Sequence, residues 1–452
     1  MTHLCQESLT RDPNLPGPRV SSGTLQDSGS SGSLLSRTRS QRLSREQLAR
    51  EAILLTFSNA IPLRIDQLSR LTSAEWRRLL SWLDVSGLAL YFLDRLMELE
   101  LHGALPDEVI SRLLENLEDN RQRTWGMIHE SVAIQREFQA AGLSYAVMKG
   151  ISFYPCSVPH PELRHQFDLD YLIAEECAPV ARQILEHMGY RLQAMFGGCW
   201  EFKKGETPNV SAKDLYKDLP YRGVELHLEP AVSEQTSLLS RVIERRMYDI
   251  TMPVFSPVDL FLGQALHALK DLCSSFSRAS HLLEFYRHVL TRRDDKEFWY
   301  DLRRQAVNDR KARFAIGTVT YLITSVWGDF APEALTTWTV DSLPSGVRLW
   351  VDRYGRSGAL NRPPGTKIYL LLQKELDAEG VSAKKTVKTS LLPTQLPPPV
   401  IRALPGESLP RRLGRYRVQL RFFASRMRFH VVEGIRFALE SYRWRQLRNR
   451  LP

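Results

Sequence analysis

Two aspartates, Asp168 and Asp170, are separated by one leucine within an apolar segment that runs from Phe167 to Ile173. Side chains alternate between the two faces of a β-strand, so residues i and i+2 leave the same face and these two carboxylates could share a divalent cation. Two charges inside an apolar strand cost desolvation and self-repulsion unless a cation or a basic residue neutralises them. The spacing therefore indicates a metal site, and the alternative is a strand end whose acids face water.

A second strand, predicted over residues 221–228, carries another acid between two apolar residues. Glu225 lies on the same face of that strand as His227 and Glu229. Two strands could thus bring Glu225 and both aspartates to one point, with Glu229 as the alternative third carboxylate. Three carboxylates that offer only oxygen ligands are typical of Mg²⁺ or Mn²⁺ sites rather than zinc sites.

Residues 144–148 predict a short strand, and Lys149 and Gly150 follow it directly. Glycine lets the backbone approach a phosphate closely, and a neighbouring lysine supplies a positive point charge. The pair is therefore a candidate phosphate-binding turn. The alternatives are a solvent-exposed lysine at a strand end and an ordinary turn glycine.

Taken together, these segments resemble the bacterial family of uncharacterised nucleotidyltransferases, a branch of the polymerase-beta-like nucleotidyltransferase superfamily. The positions that match the family pattern are Lys149, Gly150, Tyr154, Pro155, Arg164, Asp168, Asp170, Gly189, Tyr190, Glu225 and His227. The resemblance is sharpest over residues 141–230 and extends more loosely, as a pattern of helices, from residue 50 to residue 375.

The resemblance implies an α/β nucleotidyltransferase core, a small mixed sheet with flanking helices, embedded in a mainly α-helical chain. It also implies transfer of a nucleoside monophosphate, with AMP from ATP as the first expectation, to an unidentified small molecule, sugar or protein. Asp168 and Asp170 would bind Mg²⁺ or Mn²⁺ and the triphosphate, and Glu225 would complete the metal site or act as general base.

The chain departs from the superfamily pattern at the turn that follows the strand predicted at residues 144–148. The superfamily usually has a Gly-Ser pair at this point, and this sequence has Lys149-Gly150, with Ser152 two residues further on. Ser152 is the candidate substitute for the missing serine. Arg164 would hold the triphosphate or neutralise the acids, and the alternative is a structural ion pair.

Two histidines complete the set of candidate residues. His227 would hydrogen-bond Glu225 or the substrate, and the alternative is a buried structural histidine. His267, with Asp271 one helical turn further on, would line the acceptor cleft or form an ordinary pair on a helix surface. A rival interpretation of the whole chain is a catalytically degenerate nucleotide-binding or scaffold protein on the same fold.

Composition and periodicity divide the chain into regions that would position these residues. The predicted regions are a disordered segment (1–43), an N-terminal helical region (44–141), the α/β core (142–250), a C-terminal helical region (251–382), a Pro-rich linker (383–410) and an Arg-rich helical tail (411–452). Within the core, strands are predicted near 143–148, 168–173, 190–203 and 221–228, and helices near 176–188 and 233–247.

Composition narrows the class of protein. With 452 residues and 43% hydrophobic residues, the chain can bury a sizeable core. It has no long uncharged apolar run and no basic segment leading into an apolar one at its N-terminus, so we expect neither a transmembrane helix nor a secretory signal. Five scattered cysteines without C-x-x-C spacing indicate reduced thiols in a cytoplasmic protein.

The net charge of +10 is concentrated at one end. Residues 411–452 hold twelve arginines, no lysine and two acids, so twelve minus two accounts for the whole excess. Aromatic residues are interleaved with these arginines, in a segment predicted as two helices near 411–428 and 430–449. Such a tail can bind an anionic membrane surface, RNA or an acidic partner, which would make the protein peripheral to the membrane in the first case. The alternative is packing against the body with a solvated basic face.

Overall fold

One seven-stranded mixed sheet organises the middle of the chain. The structure, a computed structural model, describes residues 45–58, 66–205, 214–231, 236–247, 250–275, 278–361, 365–381, 391 and 408–450. The strands are β1 (Tyr145–Met148), β2 (Asp168–Ala174), β3 (Arg191–Phe196), β4 (Cys199–Lys204), β5 (Arg222–Glu229), β6 (Ile243–Met247) and β7 (Ile250–Val254). Their order is β3-β4-β5-β2-β1-β7-β6, in which β2 pairs parallel with β5 and β1 pairs parallel with β7.

The strands predicted for the core are confirmed, with one of them divided in two. The predicted strand near 190–203 forms the hairpin β3–β4, whose turn is Gly197-Gly198 with φ values of 53° and 77°. These positive φ values are readily adopted by glycine. The sheet is mixed, as expected, but it has seven strands, so the predicted small sheet is not confirmed.

The helix predicted near 233–247 is wrong wherever the structure describes that segment. Ile243–Met247 is strand β6, which pairs with β7, and β7 in turn pairs with β1 through Val147 and Val254. Arg245 helps to hold this strand by donating from Nη1 to the carbonyls of Ser152 and Tyr154, at 3.0 Å each. Tertiary pairing therefore overrides the local helical pattern, and the sheet continues past the predicted core boundary at residue 250.

Helices make up most of the rest of the described chain. They are α1 (Arg45–Thr56), α2 (Asp66–Ser69), α3 (Ser73–Ser86), α4 (Ala89–Glu98), α5 (Asp107–Ala140), α6 (Ala178–His187), α7 (Pro257–Leu272), α8 (Ala279–Thr291), α9 (Lys296–Ala306), α10 (Arg310–Trp327), α11 (Glu333–Thr336), α12 (Ser345–Trp350), α13 (Arg356–Leu360), α14 (Tyr369–Ala378) and α15 (Leu409–Arg448). Helix α7 begins at a serine N-cap, because Ser256 Oγ accepts the backbone N–H of Asp259 at 3.1 Å.

Two long helices run without interruption. Residues 107–140 form one helix, α5, from which Asn120 Nδ2 donates to the carbonyl of Glu162 at 2.6 Å. The C-terminal tail is likewise one 40-residue helix, α15, instead of two. Gly414 and Gly434 lie inside α15 without interrupting it.

The alternation of side chains along β2 determines on which face of the sheet the two aspartates lie. Tyr171 is fully buried against α5, where its hydroxyl lies 2.9 Å from Ser131 Oγ and its ring packs edge-on against Phe138. Leu169 and Ile173 share this core. The aspartates at the intervening positions therefore leave the opposite face of the sheet, as period-two geometry requires.

Two predicted regions fall largely outside the described residues: the disordered segment 1–43 entirely, and the linker 383–410 except for a few positions. Within the described part of the chain, no helix combines the length and apolar character needed to cross a bilayer.

The helical region contains a buried histidine that makes stability depend on pH. His288 on α8 is 1% exposed, and its Nδ1 lies 2.6 Å from Gln264 Oε1. Burial, followed by the nearby arginines Arg292 and Arg245, lowers the pKa of His288 to about 3. An unfolded histidine has a pKa of about 6.5, so the stability due to neutral His288 is complete above that pH and is lost progressively as the pH falls toward 3.

We therefore expect His288 alone to lower the free energy of unfolding by about 2 kcal/mol between pH 7 and pH 5. Urea unfolding of wild type and His288→Gln at both pH values measures this contribution. The variant is less stable at pH 7 because it loses a buried contact, but its pH dependence should be smaller by the stated amount. An unchanged pH dependence would contradict the assignment.

Candidate active site

The parallel pairing of β2 with β5 brings the predicted carboxylates together. Asp170 is directly opposite Glu225 in the register of the two strands, and Asp168 lies opposite Gly223. Since Asp168 and Asp170 share one face of β2, three carboxylates from two adjacent strands lie on that face. Glu229, the alternative third acid, instead accepts from Ser237 Oγ at 2.7 Å. Glu225 is therefore the third member of the cluster.

Asp170 is the centre of the cluster. Its Oδ1 accepts from Lys149 Nζ at 2.7 Å and lies 3.1 Å from His227 Nε2. The same imidazole nitrogen lies 3.4 Å from Glu225 Oε2, so His227 contacts both carboxylates. The Asp170 carboxylate is 7% exposed, and its negative charge is thus balanced by a lysine and a histidine that it contacts directly.

A strained turn positions Lys149. The residue follows β1 with a φ of 49°, an uncommon value for a residue with a Cβ. Gly150 follows with a φ of 44°, and a Cβ on Gly150 would lie 2.3 Å from Gln166 Oε1. A Cβ at this position would displace the Gln166 side chain, and the positive φ also favours glycine. Strain of this kind commonly marks a functional site.

The pKa values of the two aspartates are shifted in opposite directions. Burial, followed by the negative charges of Asp170 and Glu225, raises the pKa of Asp168 to about 6. Burial also acts to raise the pKa of Asp170, but the His227 hydrogen bond and the Lys149 charge outweigh it, so that pKa is lowered. One acid is thus firmly ionised while its neighbour lies close to the point of protonation.

The pKa values of the two basic partners, Lys149 and His227, are both raised. Burial alone would lower the pKa of Lys149, but the charge and hydrogen bond of Asp170 outweigh it and the pKa is raised. Burial likewise opposes protonation of His227, yet the hydrogen bonds to Asp170 and Glu225 raise its pKa. The site therefore holds positive charge against an excess of carboxylates.

Arg164 and Ser152 have partners of their own. Arg164 Nε donates to Glu284 Oε1 at 3.1 Å, and the Arg164 and Glu284 side chains are 16% and 3% exposed. This is the ion pair that the sequence left as an alternative, although the Arg164 charge still acts on both aspartates. Ser152 is fully buried, and its hydroxyl donates to the carbonyl of Lys149 at 2.8 Å, within the strained turn.

His267 belongs to a second cluster. Asp271 Oδ2 lies 2.6 Å from Nδ1 of His281, a residue of α8 that the sequence pattern did not single out, and Asp271 Oδ1 lies 4.0 Å from His267 Nε2. Burial, followed by the charge of His281, lowers the pKa of His267 to about 4. The positive charge of Lys149 acts in the same direction, which places this cluster in the electrostatic field of the carboxylate site.

Cys199 is another neighbour that the sequence did not indicate. It lies opposite His227 in the β4–β5 pairing. Burial, followed by the charges of Glu225 and Asp170, raises the pKa of the Cys199 thiol to about 11. The signal that could have revealed it is the hairpin turn immediately before it, which fixes the register of β4 against β5.

The donor set suits a hard divalent cation. Carboxylate oxygens from Asp168, Asp170 and Glu225 face one region of the sheet, and oxygen ligands are those that Mg²⁺ and Mn²⁺ prefer. After burial, the charges of Asp170 and Glu225 are the next causes that raise the pKa of Asp168, and a bound cation would relieve this repulsion. Lys149 already neutralises Asp170, so a cation bound at Asp170 Oδ1 would compete with that ammonium.

Comparison with known proteins gives one family. Residues 72–327 match the family described as "Uncharacterised nucleotidyltransferase". This span contains all seven strands and every candidate residue considered above. No curated protein matches the chain.

Proposed function

Because this chain belongs to the family of uncharacterised nucleotidyltransferases, which indicates nucleotidyl transfer in general, we propose that it is a metal-dependent enzyme acting on a nucleoside triphosphate. It transfers the nucleoside monophosphate, with AMP from ATP as the first candidate, to a hydroxyl or phosphate oxygen of an acceptor. The acceptor oxygen bonds to the α-phosphorus, the bond from that phosphorus to the bridging oxygen breaks, and pyrophosphate leaves.

One observation carries the proposal. Asp170 and Glu225 lie side by side on adjacent parallel strands, and Asp168 is on the same face of the sheet. Lys149, from a strained turn, donates to the Asp170 carboxylate. A structural ion pair requires only one acid for one base. Here Asp170 contacts both Lys149 and His227, Glu225 contacts His227, and Asp168 adds a third carboxylate on the same face. Such a surplus of oxygen ligands suits a site for a divalent cation and a phosphate.

Each residue has a distinct task in this proposal. Asp168, Asp170 and Glu225 would hold Mg²⁺ or Mn²⁺, which when bound supplies charge stabilisation for the phosphate oxygens and lowers the pKa of an attacking hydroxyl. Lys149 exchanges its contact with Asp170 for the phosphates of the nucleotide. Glu225 accepts the proton of the acceptor hydroxyl, and His227, 3.4 Å from Glu225 Oε2, orients that carboxylate.

Two radiolabels separate this reaction from phosphoryl transfer. The enzyme is incubated with ATP labelled at either the α- or the γ-phosphate, together with Mg²⁺ and a cell extract that supplies the acceptor. Nucleotidyl transfer puts the α-label on the acceptor and leaves the γ-label in pyrophosphate. A product that carries the γ-label would contradict the proposed reaction.

Replacing Lys149 should change metal and nucleotide binding in opposite directions. In Lys149→Met the ammonium no longer competes for Asp170 Oδ1, so without nucleotide we expect Mn²⁺ to bind about tenfold more tightly, since a hydrogen bond between charged groups is worth about 1.5–3 kcal/mol. The variant should bind the triphosphate more weakly by a similar factor. Calorimetric titration of both ligands measures the two affinities.

Lys204→Met is the matched control, because Lys204 forms a different ion pair, with Glu130 at 3.2 Å. Both affinities should be unchanged in this control. Weaker Mn²⁺ binding in Lys149→Met would show that the lysine does not compete for the metal site.

A second candidate function is nucleotide binding without transfer. It is favoured by the contacts of Asp170, whose Oδ1 is already engaged by Lys149 and His227, together with the Lys149-Gly150 sequence where the superfamily usually has Gly-Ser. A degenerate site would bind triphosphate and release no pyrophosphate with any acceptor. Measuring both properties on the same protein distinguishes the two functions.

A further inference from the structure

Helix α15 presents a long apolar stripe to solvent. The stripe consists of Leu409, Leu413, Tyr416, Leu420, Met427, Val431, Ile435 and Tyr442, all of them exposed. At 3.6 residues per turn these positions fall within about 100° of the helix circumference and extend over roughly 50 Å. Leu409, Leu420 and Met427 are 73%, 67% and 64% exposed. A contiguous strip of this length marks an interaction surface, in contrast to scattered surface hydrophobics.

The opposite side of α15 fixes the helix to the body. Phe437 and Trp444 are buried there. The two acids of the helix point the same way: Glu440 Oε2 accepts from Tyr354 Oη at 2.7 Å, and Glu433 Oε2 accepts the backbone N–H of Lys367 at 3.1 Å. Packing thus uses the acidic and aromatic side, and the apolar stripe remains outward.

Arginines border the stripe. On the helical projection Arg417, Arg421 and Arg428 lie along one edge and Arg412 along the other, and all four are exposed. Arginine can lay its aliphatic stem along an apolar surface while its guanidinium reaches a more polar layer. The outward surface therefore combines an apolar strip with positive borders and carries none of the helix's acids.

This chemistry selects among possible occupants. A second copy of α15 on the stripe would bring arginine borders against each other, and like charges at such positions destabilise a helix pair. Single-stranded RNA would be bound by stacking on aromatic rings, but most of the stripe is aliphatic. Acyl chains beneath anionic headgroups complement both the aliphatic strip and its positive borders.

We propose that the outward face of α15 docks the protein on an anionic lipid surface, with the apolar stripe in the acyl boundary and the bordering arginines at the headgroups. This inference is independent of the transfer reaction, so its test requires no activity. The whole chain is co-sedimented with vesicles of phosphatidylcholine alone or mixed with phosphatidylglycerol. We expect strong binding to the mixed vesicles, weak binding to the neutral ones, and weaker binding in high salt.

Two variants separate the apolar and the charged contributions. Leu413→Gln with Leu420→Gln removes apolar side chains from the stripe. Arg417→Gln with Arg421→Gln should weaken partitioning into anionic vesicles roughly 25-fold, or about fivefold for each arginine. The matched controls are Val418→Gln and Arg411→Gln, which make the same kinds of change on the opposite side of the helix. Circular dichroism and the melting temperature establish that each variant is folded.

Loss of vesicle binding in both double variants, with binding retained in both controls, supports the docking surface. Equal binding to neutral and anionic vesicles would overturn it, as would control variants that lose binding as fully as the double variants. Absence of sedimentation with any vesicle would also overturn it. Self-association or RNA binding without vesicle binding would assign the stripe to one of the rejected occupants.

Discussion

In Asp170→Asn the rate of nucleotidyl transfer falls about 10³-fold or more, while the protein stays folded. The magnitude reflects the loss of an anionic ligand and of the charge that organises the site. Lys149 Nζ and His227 Nε2 lie 2.7 and 3.1 Å from Asp170 Oδ1. A neutral amide there still offers one acceptor oxygen, but it removes the negative charge that both bases balance. Steady-state rates with saturating nucleotide, together with circular dichroism, measure the two effects separately.

Asp218→Asn is the control for this substitution. Asp218 is an exposed acid whose partner is Arg222, outside the carboxylate cluster, so its loss should leave the rate within about twofold and the stability within about 1 kcal/mol. A transfer rate in Asp170→Asn that matches this control would exclude Asp170 from catalysis.

In Glu284→Ala the free energy of unfolding falls by about 3–5 kcal/mol. The Glu284 carboxylate accepts from Arg164 Nε and from Tyr91 Oη, each at 3.1 Å, and is 3% exposed. Its removal leaves a largely buried guanidinium without its direct ion-pair partner and a buried hydroxyl without an acceptor. This pair joins α8 to the segment before β2. Its loss should therefore also make the segment that leads to Asp168 less rigid. Urea unfolding measures the expected change.

Asp301→Ala provides the comparison for an exposed pair. Asp301 contacts Arg304 at 3.1 Å, but these side chains are 41% and 73% exposed, so the cost should be at most about 1 kcal/mol. If Glu284→Ala lowers the free energy of unfolding no more than this control does, Arg164 is not held by a buried ion pair. That result would favour the alternative in which Arg164 binds the triphosphate.

The carboxylate site was predictable because local rules determine it. The alternation of Asp168, Leu169 and Asp170 fixes which side chains share a face, whatever the surrounding fold. The tertiary structure then adds what alternation cannot supply, namely that β5 pairs parallel with β2 so that Glu225 meets Asp170. Alternation predicts that the two strands could bring these acids to one point, but it carries no information about which strands pair or in which direction.

The unpredicted features all depend on long-range contacts. Strand β6 has a local pattern that a helix also satisfies, and its pairing with β7 decides between the two. His281 joins the cluster of Asp271 only because α8 packs beside α7. Arg164 and Glu284 are 120 residues apart, so no motif could link them. Residues 409–448 form one helix where two were predicted, and its buried residues, Phe437 and Trp444, have their partners only in the folded protein.

The most direct test of the proposed activity is pyrophosphate release from each of the four nucleoside triphosphates, with Mg²⁺, with Mn²⁺ and with chelator, in the presence of cell extract. Wild type is compared with Asp168→Asn and Asp170→Asn, and each protein is purified identically. We expect release by wild type that requires the added cation and is abolished in both variants. Release that persists with chelator or in both variants would contradict a metal-dependent transfer centred on these two aspartates.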